Sequence, residues 1–287
     1  MPGSGLSQVY ALQRVIANAL PGAVLALAVL VSPAPAAAQS ALDSARQFYN
    51  QGKFDAAVKL AAQLRSDPAT ANAASLVLAR SYLERFRQSE DHADLVAGRA
   101  ALREVKPAVL GSREQAEYLV GLGESLYLGE SYGAAAEIFA SAFERSQELG
   151  PRAFDRVFDW WATSLDRLAQ SGLVENIEGI YSQILARAEA ALVRGPGLSA
   201  PAYWCVVAAR FLGDSMRAWD AAVAGWVRAP LAGDGASALR ADLDRLVLQA
   251  IIPERVRQMA STDRDRERAA ATLRAAWEEV KKEWSER

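Results

Sequence analysis

From residue 41 onward apolar side chains recur at intervals of three and four, and no stretch alternates with the period of a strand, which confines the chain to helices. Ala41 to Asn50, Asp55 to Arg65, Ala71 to Phe86 and Arg113 to Leu128 are rich in Ala, Leu, Glu, Arg and Gln, all good helix formers. The breaks between such segments are short and carry turn chemistry: Gln51-Gly52, Asp67-Pro68, Pro107 to Gly111, Gly129, Gly150-Pro151, Ser171-Gly172, Gly195-Pro196-Gly197 and Pro230 to Gly235. Helices of similar length joined by short loops pack as antiparallel pairs. The expected fold class is therefore all-α, built of helical hairpins.

The N-terminus has a different character. Arg14 is the only charged side chain before position 43, and it precedes a mostly apolar run from Val15 to Val31. Ser32-Pro33 breaks that run, and Ala36-Ala37-Ala38 offers the small side chains a signal peptidase reads. Residues 1–38 are expected to be a signal peptide cleaved after Ala38. The run flanks poorly as a membrane span, and no integral span is expected after cleavage. A lipid anchor needs a cysteine just past the apolar run, whereas the single cysteine is Cys205. A periplasmic or secreted bacterial protein is the expectation, and the abundance of Ala and Arg over Lys agrees with a GC-rich bacterial genome.

Cleavage removes one of 32 basic side chains against 34 acidic, taking the net charge from −2 to −3. That balance argues against a nucleic-acid partner, which calls for a basic face. One cysteine forbids an intramolecular disulfide, so an exported chain of this size relies on its apolar core.

Two segments carry a finer pattern. Gly52-Lys53-Phe54-Asp55-Ala56-Ala57-Val58, and Leu122-Gly123 with Tyr132-Gly133-Ala134-Ala135, resemble a degenerate pair of tetratricopeptide repeats. Ala45 and Ala57 stand twelve residues apart, as do Gly123 and Ala135; in that family small residues at this spacing let two helices approach. Phe48, Phe54 and Leu64 in the first unit, and Leu119, Leu126, Tyr132, Phe139 and Ala142 in the second, are of the type the family places there. Leu78-Ala79 with Tyr82, paired with His92 to Val105, looks like an intermediate unit whose register is spoiled by the polar stretch Arg87 to Asp91.

The resemblance implies a right-handed superhelix of antiparallel hairpins, an α-solenoid. Residues 39–149 hold the repeat-like part, and 150–235 continue it with degenerate hairpins, Arg152 to Gln170 with Val174 to Arg194 and Ala200 to Leu212 with Ser215 to Ala229. Residues 236–287 form charged C-terminal helices in which Pro253 restarts a helix. Its last helix, Asp263 to Glu283, aligns Leu273, Trp277, Val280 and Trp284 on one stripe, as a capping helix or a partner-binding helix needs.

Chemistry is sparse. A single histidine, His92, excludes a histidine triad and a two-histidine zinc site, and it lies in the polar stretch as an exposed bystander. Cys205, within Tyr203-Trp204-Cys205-Val206-Val207, reads as a packed small hydrophobe. Glu84, Glu124, Asp159 and Asp166 fall on helices at no spacing that forces a pair together. No phosphate loop, nucleophile elbow or metal cluster is found, so catalytic residues, metal and cofactor are all expected to be none. Trp160-Trp161, Trp204, Trp219 and Trp226 read as core filler; because neighbours on a helix point ~100° apart, the alternative is that one of Trp160 and Trp161 faces a groove beside Arg156 and Arg167.

The resulting expectation is a non-enzymatic scaffold that binds a protein or peptide partner in the cell envelope. By the orientation the resemblance implies, Arg46, Tyr49, Asn50, Arg80, Glu84, Glu124 and Tyr127 line the groove, and Ala45, Ala57, Gly123, Ala135, Phe54 and Tyr132 pack the repeats. The alternative is an envelope enzyme acting on glycan through groove carboxylates.

Overall fold

The computed structural model describes residues 34–143, 145 and 150–285, and among these there are helices and turns but no strand. The expected signal segment lies outside the described residues, apart from 34–38. In chain order the helices are α1 (Ala34–Asn50), α2 (Phe54–Leu64), α3 (Ala71–Ser89), α4 (His92–Glu104), α5 (Ser112–Tyr127), α6 (Tyr132–Phe143) and α7 (Pro151–Gln170). They are followed by α8 (Ile177–Arg194), α9 (Ser199–Phe211), α10 (Ser215–Arg228), α11 (Ala236–Leu246), α12 (Ile252–Met259) and α13 (Asp263–Ser285).

The ends of these helices follow from local chemistry. Asp91, Asn176 and Asp214 cap α4, α8 and α10, each side-chain oxygen accepting a backbone N–H that the helix leaves without a partner. Gly52, at φ 71°, takes the left-handed conformation that turns α1 into α2 within three residues. The polar stretch 87–91 does not form a loop. Instead α3 runs on to Ser89, Glu90 adopts the left-handed conformation at φ 56° and donates its backbone N–H to the Phe86 carbonyl, and α4 starts two residues later.

Pro253 marks a second departure. Residues Val247–Ile251 widen into a π-turn, with the Ile252 N–H donating to the Val247 carbonyl, so α11 continues into α12 without a stop. Proline lacks the amide for the next helical bond and crowds the carbonyl four residues back, and one wide turn ahead of it accommodates both defects.

Each helix packs on its neighbours in sequence, and α1, α3, α5, α7, α9 and α11 also touch in succession. Helices this long, joined by turns as short as residues 51–53, can pack together only when antiparallel. The odd-numbered helices α3, α5, α7, α9 and α11 begin at residues 71, 112, 151, 199 and 236, a spacing of about forty residues, longer than the ~34 of a tetratricopeptide unit.

The expected packing positions are all at contacts. Ala45, Ala57 and Ala135 are fully buried, and Gly123 lies so close to Phe139 that a Cβ would stand 2.6 Å from its ring. Phe54 packs its ring 5.7 Å from Tyr49, and Tyr132 sits 5.4 Å from Tyr127. The apolar core falls into two clusters that meet at α5, where Tyr118, Leu122 and Leu128 face the N-terminal cluster and Leu119, Val120 and Leu126 face the larger one. At the far end α13 lies on α10 and α12. Trp277 is wholly buried against Trp219 and Trp226, and its indole N–H donates to Asp244 at 2.8 Å. The stripe on the last helix therefore faces inward, and Trp284 joins the same cluster at its edge.

Candidate functional site

Two concavities lie along the odd-numbered row. The first, of about 130 Å³, is walled by Arg46, Tyr49 and Asn50 from α1, Leu76, Val77 and Arg80 from α3, Arg113, Glu117 and Val120 from α5, and Ala153, Arg156 and Val157 from α7. Four of the seven expected groove residues, Arg46, Tyr49, Asn50 and Arg80, thus line one cavity, contributed by α1 and α3.

Most of its arginines already have partners. Arg80 lays its guanidinium 4.8 Å above the Tyr49 ring and pairs with Glu124 at 3.3 Å. Arg46 bonds Glu114 at 2.7 Å, and Arg113 bonds Glu117 at 3.1 Å. Glu124 is buried beneath the cavity rather than on its wall; burial pushes its carboxyl upward from the ordinary range, and Arg80 opposes that shift. Burial favours the neutral form of the Arg80 guanidinium, and Glu124, by its charge and its hydrogen bond, keeps the group charged. Two polar atoms at this site are buried without a hydrogen-bond partner, the Tyr49 hydroxyl and the Arg46 Nε. Burial raises the Tyr49 hydroxyl far above its ordinary value, so it remains a neutral phenol.

The second concavity is a more open groove of about 710 Å³ between α7, α9 and α11. Asp155, Asp159, Asp166, Tyr203, Trp204 and Asp242 define its chemistry, and Arg156 lines both concavities. Asp155 accepts the Ala200 backbone N–H at 2.9 Å, near the start of α9. Asp159 accepts the Trp204 indole N–H at 2.9 Å, and Asp166 accepts from the Tyr181 hydroxyl and the Gln170 amide, both at 2.8 Å. Burial raises the carboxyls of Asp155 and Asp159 above the ordinary range, with the bonds from Ala200 and Trp204 opposing it. Asp159 as a residue is exposed, but its carboxyl end turns in against Trp204.

The remaining expected residues lie off these walls. Glu84 pairs with Arg87 and sits close enough to Glu124 to raise its carboxyl further. Tyr127 packs edge-on to Trp160 at 4.9 Å, behind the row. Trp161 is buried and Trp160 half-buried, stacked on Phe139 at 5.9 Å, so neither stands free in a groove. His92 is exposed beside Phe86. Cys205 is buried, and burial pushes its thiol up to about 12. Among the described residues no set of three or more His, Cys, Asp or Glu side chains is arranged to hold a metal ion.

Asp159 and Asp166 line one groove without pairing with each other. A separation of seven is close to two helical turns, and with Asp155 four residues earlier it places all three on one face of α7. That spacing was present in the sequence; Asp242, from α11, had no such signal.

No protein-family model matches the sequence, and no curated protein is similar to it at a significant level.

Proposed function

We propose that the chain is an exported, non-enzymatic scaffold of the bacterial envelope, whose row of odd-numbered helices receives an extended peptide from a protein partner. One observation carries this reading. The two concavities are neighbours on the same row and share the exposed Arg156, a layout that suits a peptide running from one into the other. Contacts that run α1 to α11 through every second helix support a superhelix with this row on its inner curve, as the tetratricopeptide resemblance implies. The period of about forty residues fits a degenerate form of that plan with longer helices.

Export agrees with the start of the first helix. Cleavage after Ala38 takes five residues from α1 but leaves Leu42 and Ala45, its first buried positions, in place. Among the described residues no helix is long and apolar enough to cross a membrane. A scaffold is favoured over a glycan-acting enzyme because Asp155 and Asp159 are each tethered by an N–H donor that orients the next helix, a structural task.

Selection of unstructured peptides from a display library against the full chain tests the proposal. Asn50 and Ala238 are exposed and line the first and second concavities, so Asn50→Trp with Ala238→Trp fills both without entering the core. Selected peptides are expected to bind the native chain and lose the filled variant. Failure to select any peptide, or equal binding to the filled variant with its helical content intact, refutes the groove.

A further inference from the structure

We propose that the α7–α9–α11 groove is built for cationic side chains, so that the partner peptide presents lysine or arginine where it crosses these helices. This inference rests on the reading of the row as a peptide groove and names the chemistry of its occupant.

The argument starts from which charges are already neutralised. In the first concavity three of the four arginines have carboxylate partners inside the fold, and Arg156 alone makes no ion pair among the described residues. The second groove is the reverse. Asp155, Asp159 and Asp166 accept hydrogen bonds only from neutral donors: a backbone amide, an indole, a phenol and a side-chain amide. Only Asp242 has a cation, Arg245 at 2.6 Å. Of the two arginines on the lining, Arg167 hydrogen-bonds Tyr127. Among the described residues no ion pair holds Asp155, Asp159 or Asp166, and with four carboxylates on the lining against the guanidiniums of Arg156 and Arg167, the groove keeps a net negative charge.

Geometry strengthens the case. Asp159 is engaged through Oδ1, which leaves its Oδ2 for another donor, and Asp155 is held by the backbone amides of Ala200 and Ser199, so both carboxylates are already oriented. A preoriented acceptor loses little freedom on binding. Tyr203 and Trp204 line the same groove and give the methylene stem of a lysine or arginine an aromatic wall, with its charged end at the carboxylates. The volume, about 710 Å³, accommodates such side chains and the peptide that bears them. A bare metal ion is disfavoured by the absence of any three-ligand cluster among the described residues.

The test uses peptides selected on the full chain, labelled with fluorescein and followed by fluorescence anisotropy. The selected sequences are expected to be enriched in Lys and Arg over the input library, and their affinity to fall as ionic strength rises. Asp155→Asn with Asp159→Asn keeps the oxygens that accept the Ala200 and Trp204 N–H groups but removes two charges. At about threefold per lost surface ion pair, affinity is expected to drop roughly tenfold with unfolding temperature unchanged. If that temperature falls, the single variant Asp159→Asn, with its expected threefold loss, carries the test. Selected peptides without basic enrichment, or equal binding to the charge-removed variants, overturn the cationic assignment and leave the groove standing. Selection of no peptide at all overturns the groove and this inference with it.

Discussion

Gly123→Ala and Gly133→Ala should move stability in opposite directions, because the space above the two Cα atoms differs by almost an ångström. A Cβ on Gly123 would stand 2.6 Å from Phe139 Cε1 and 2.7 Å from Cζ, whereas ordinary contact begins near 3.4 Å. The Phe139 ring cannot retreat easily: it is wholly buried, with Trp160 stacked on it at 5.9 Å. Overpacking of this kind costs about 3 kcal/mol, and the better helix propensity of alanine returns about 1 kcal/mol, leaving a net loss of about 2 kcal/mol. On Gly133 the nearest atom is Leu168 Cδ2 at 3.5 Å, an ordinary contact, so the same change should stabilise by about 0.5 kcal/mol. Urea unfolding followed by circular dichroism measures both. The expected drop for Gly123→Ala corresponds to about 5 °C in melting temperature. A Gly123→Ala chain as stable as the native one would refute the reading of Gly123 as the point where α5 and α6 approach.

Arg80→Met leaves Glu124 buried without its cation and should cost about 3–5 kcal/mol at neutral pH, while Arg80→Met with Glu124→Met should lie much closer to the native chain. The single variant carries its own pH signature. Glu124 is already raised by burial, so the folded state holds a proton at pH values where the unfolded state has lost it; stability should rise as the solution is acidified through that window, and unfolding curves at stepped pH would show no such rise if the carboxyl were solvated. Cys205, with its thiol pushed up to about 12, should react with iodoacetamide near neutral pH on the order of a thousandfold more slowly than a free thiol, until the chain unfolds; labelling of the folded chain within minutes would show that the helix face is not packed.

The helices were legible because their signal is local: periodicity places α2, α5, α7 and α10 within a residue or two, and turn residues mark their ends. Legibility failed where a local signal had two outcomes. The polar stretch 87–91 lengthened α3 to Ser89, and Pro253 stands in the first turn of α12 as expected, but behind a π-turn that leaves no stop between α11 and α12. The groove was legible in part for the same reason. Arg46, Tyr49, Asn50 and Arg80, named from the orientation the resemblance implies, line one concavity, but which arginine is spent inside the fold depends on residues 44 to 68 positions away, Glu124 for Arg80 and Glu114 for Arg46.

Those distant partners are not scattered. Arg80 reaches Glu124 across 44 positions, Asp155 and Asp159 reach Ala200 and Trp204 across 45, Arg210 reaches Glu254 and Arg240 reaches the Trp284 carbonyl across 44. Polar bonds at one recurring separation stitch successive layers together where alanine-rich faces alone would slide, since small apolar side chains fix distance better than register. On α3 the bond consumes an arginine and a glutamate together, so its charge cancels. On α7 the donors are an amide and an indole, so the same stitching leaves two aspartates charged and facing the open row. The acidity of the second groove is thus a consequence of how the layers are fastened, which explains why it is absent from the first.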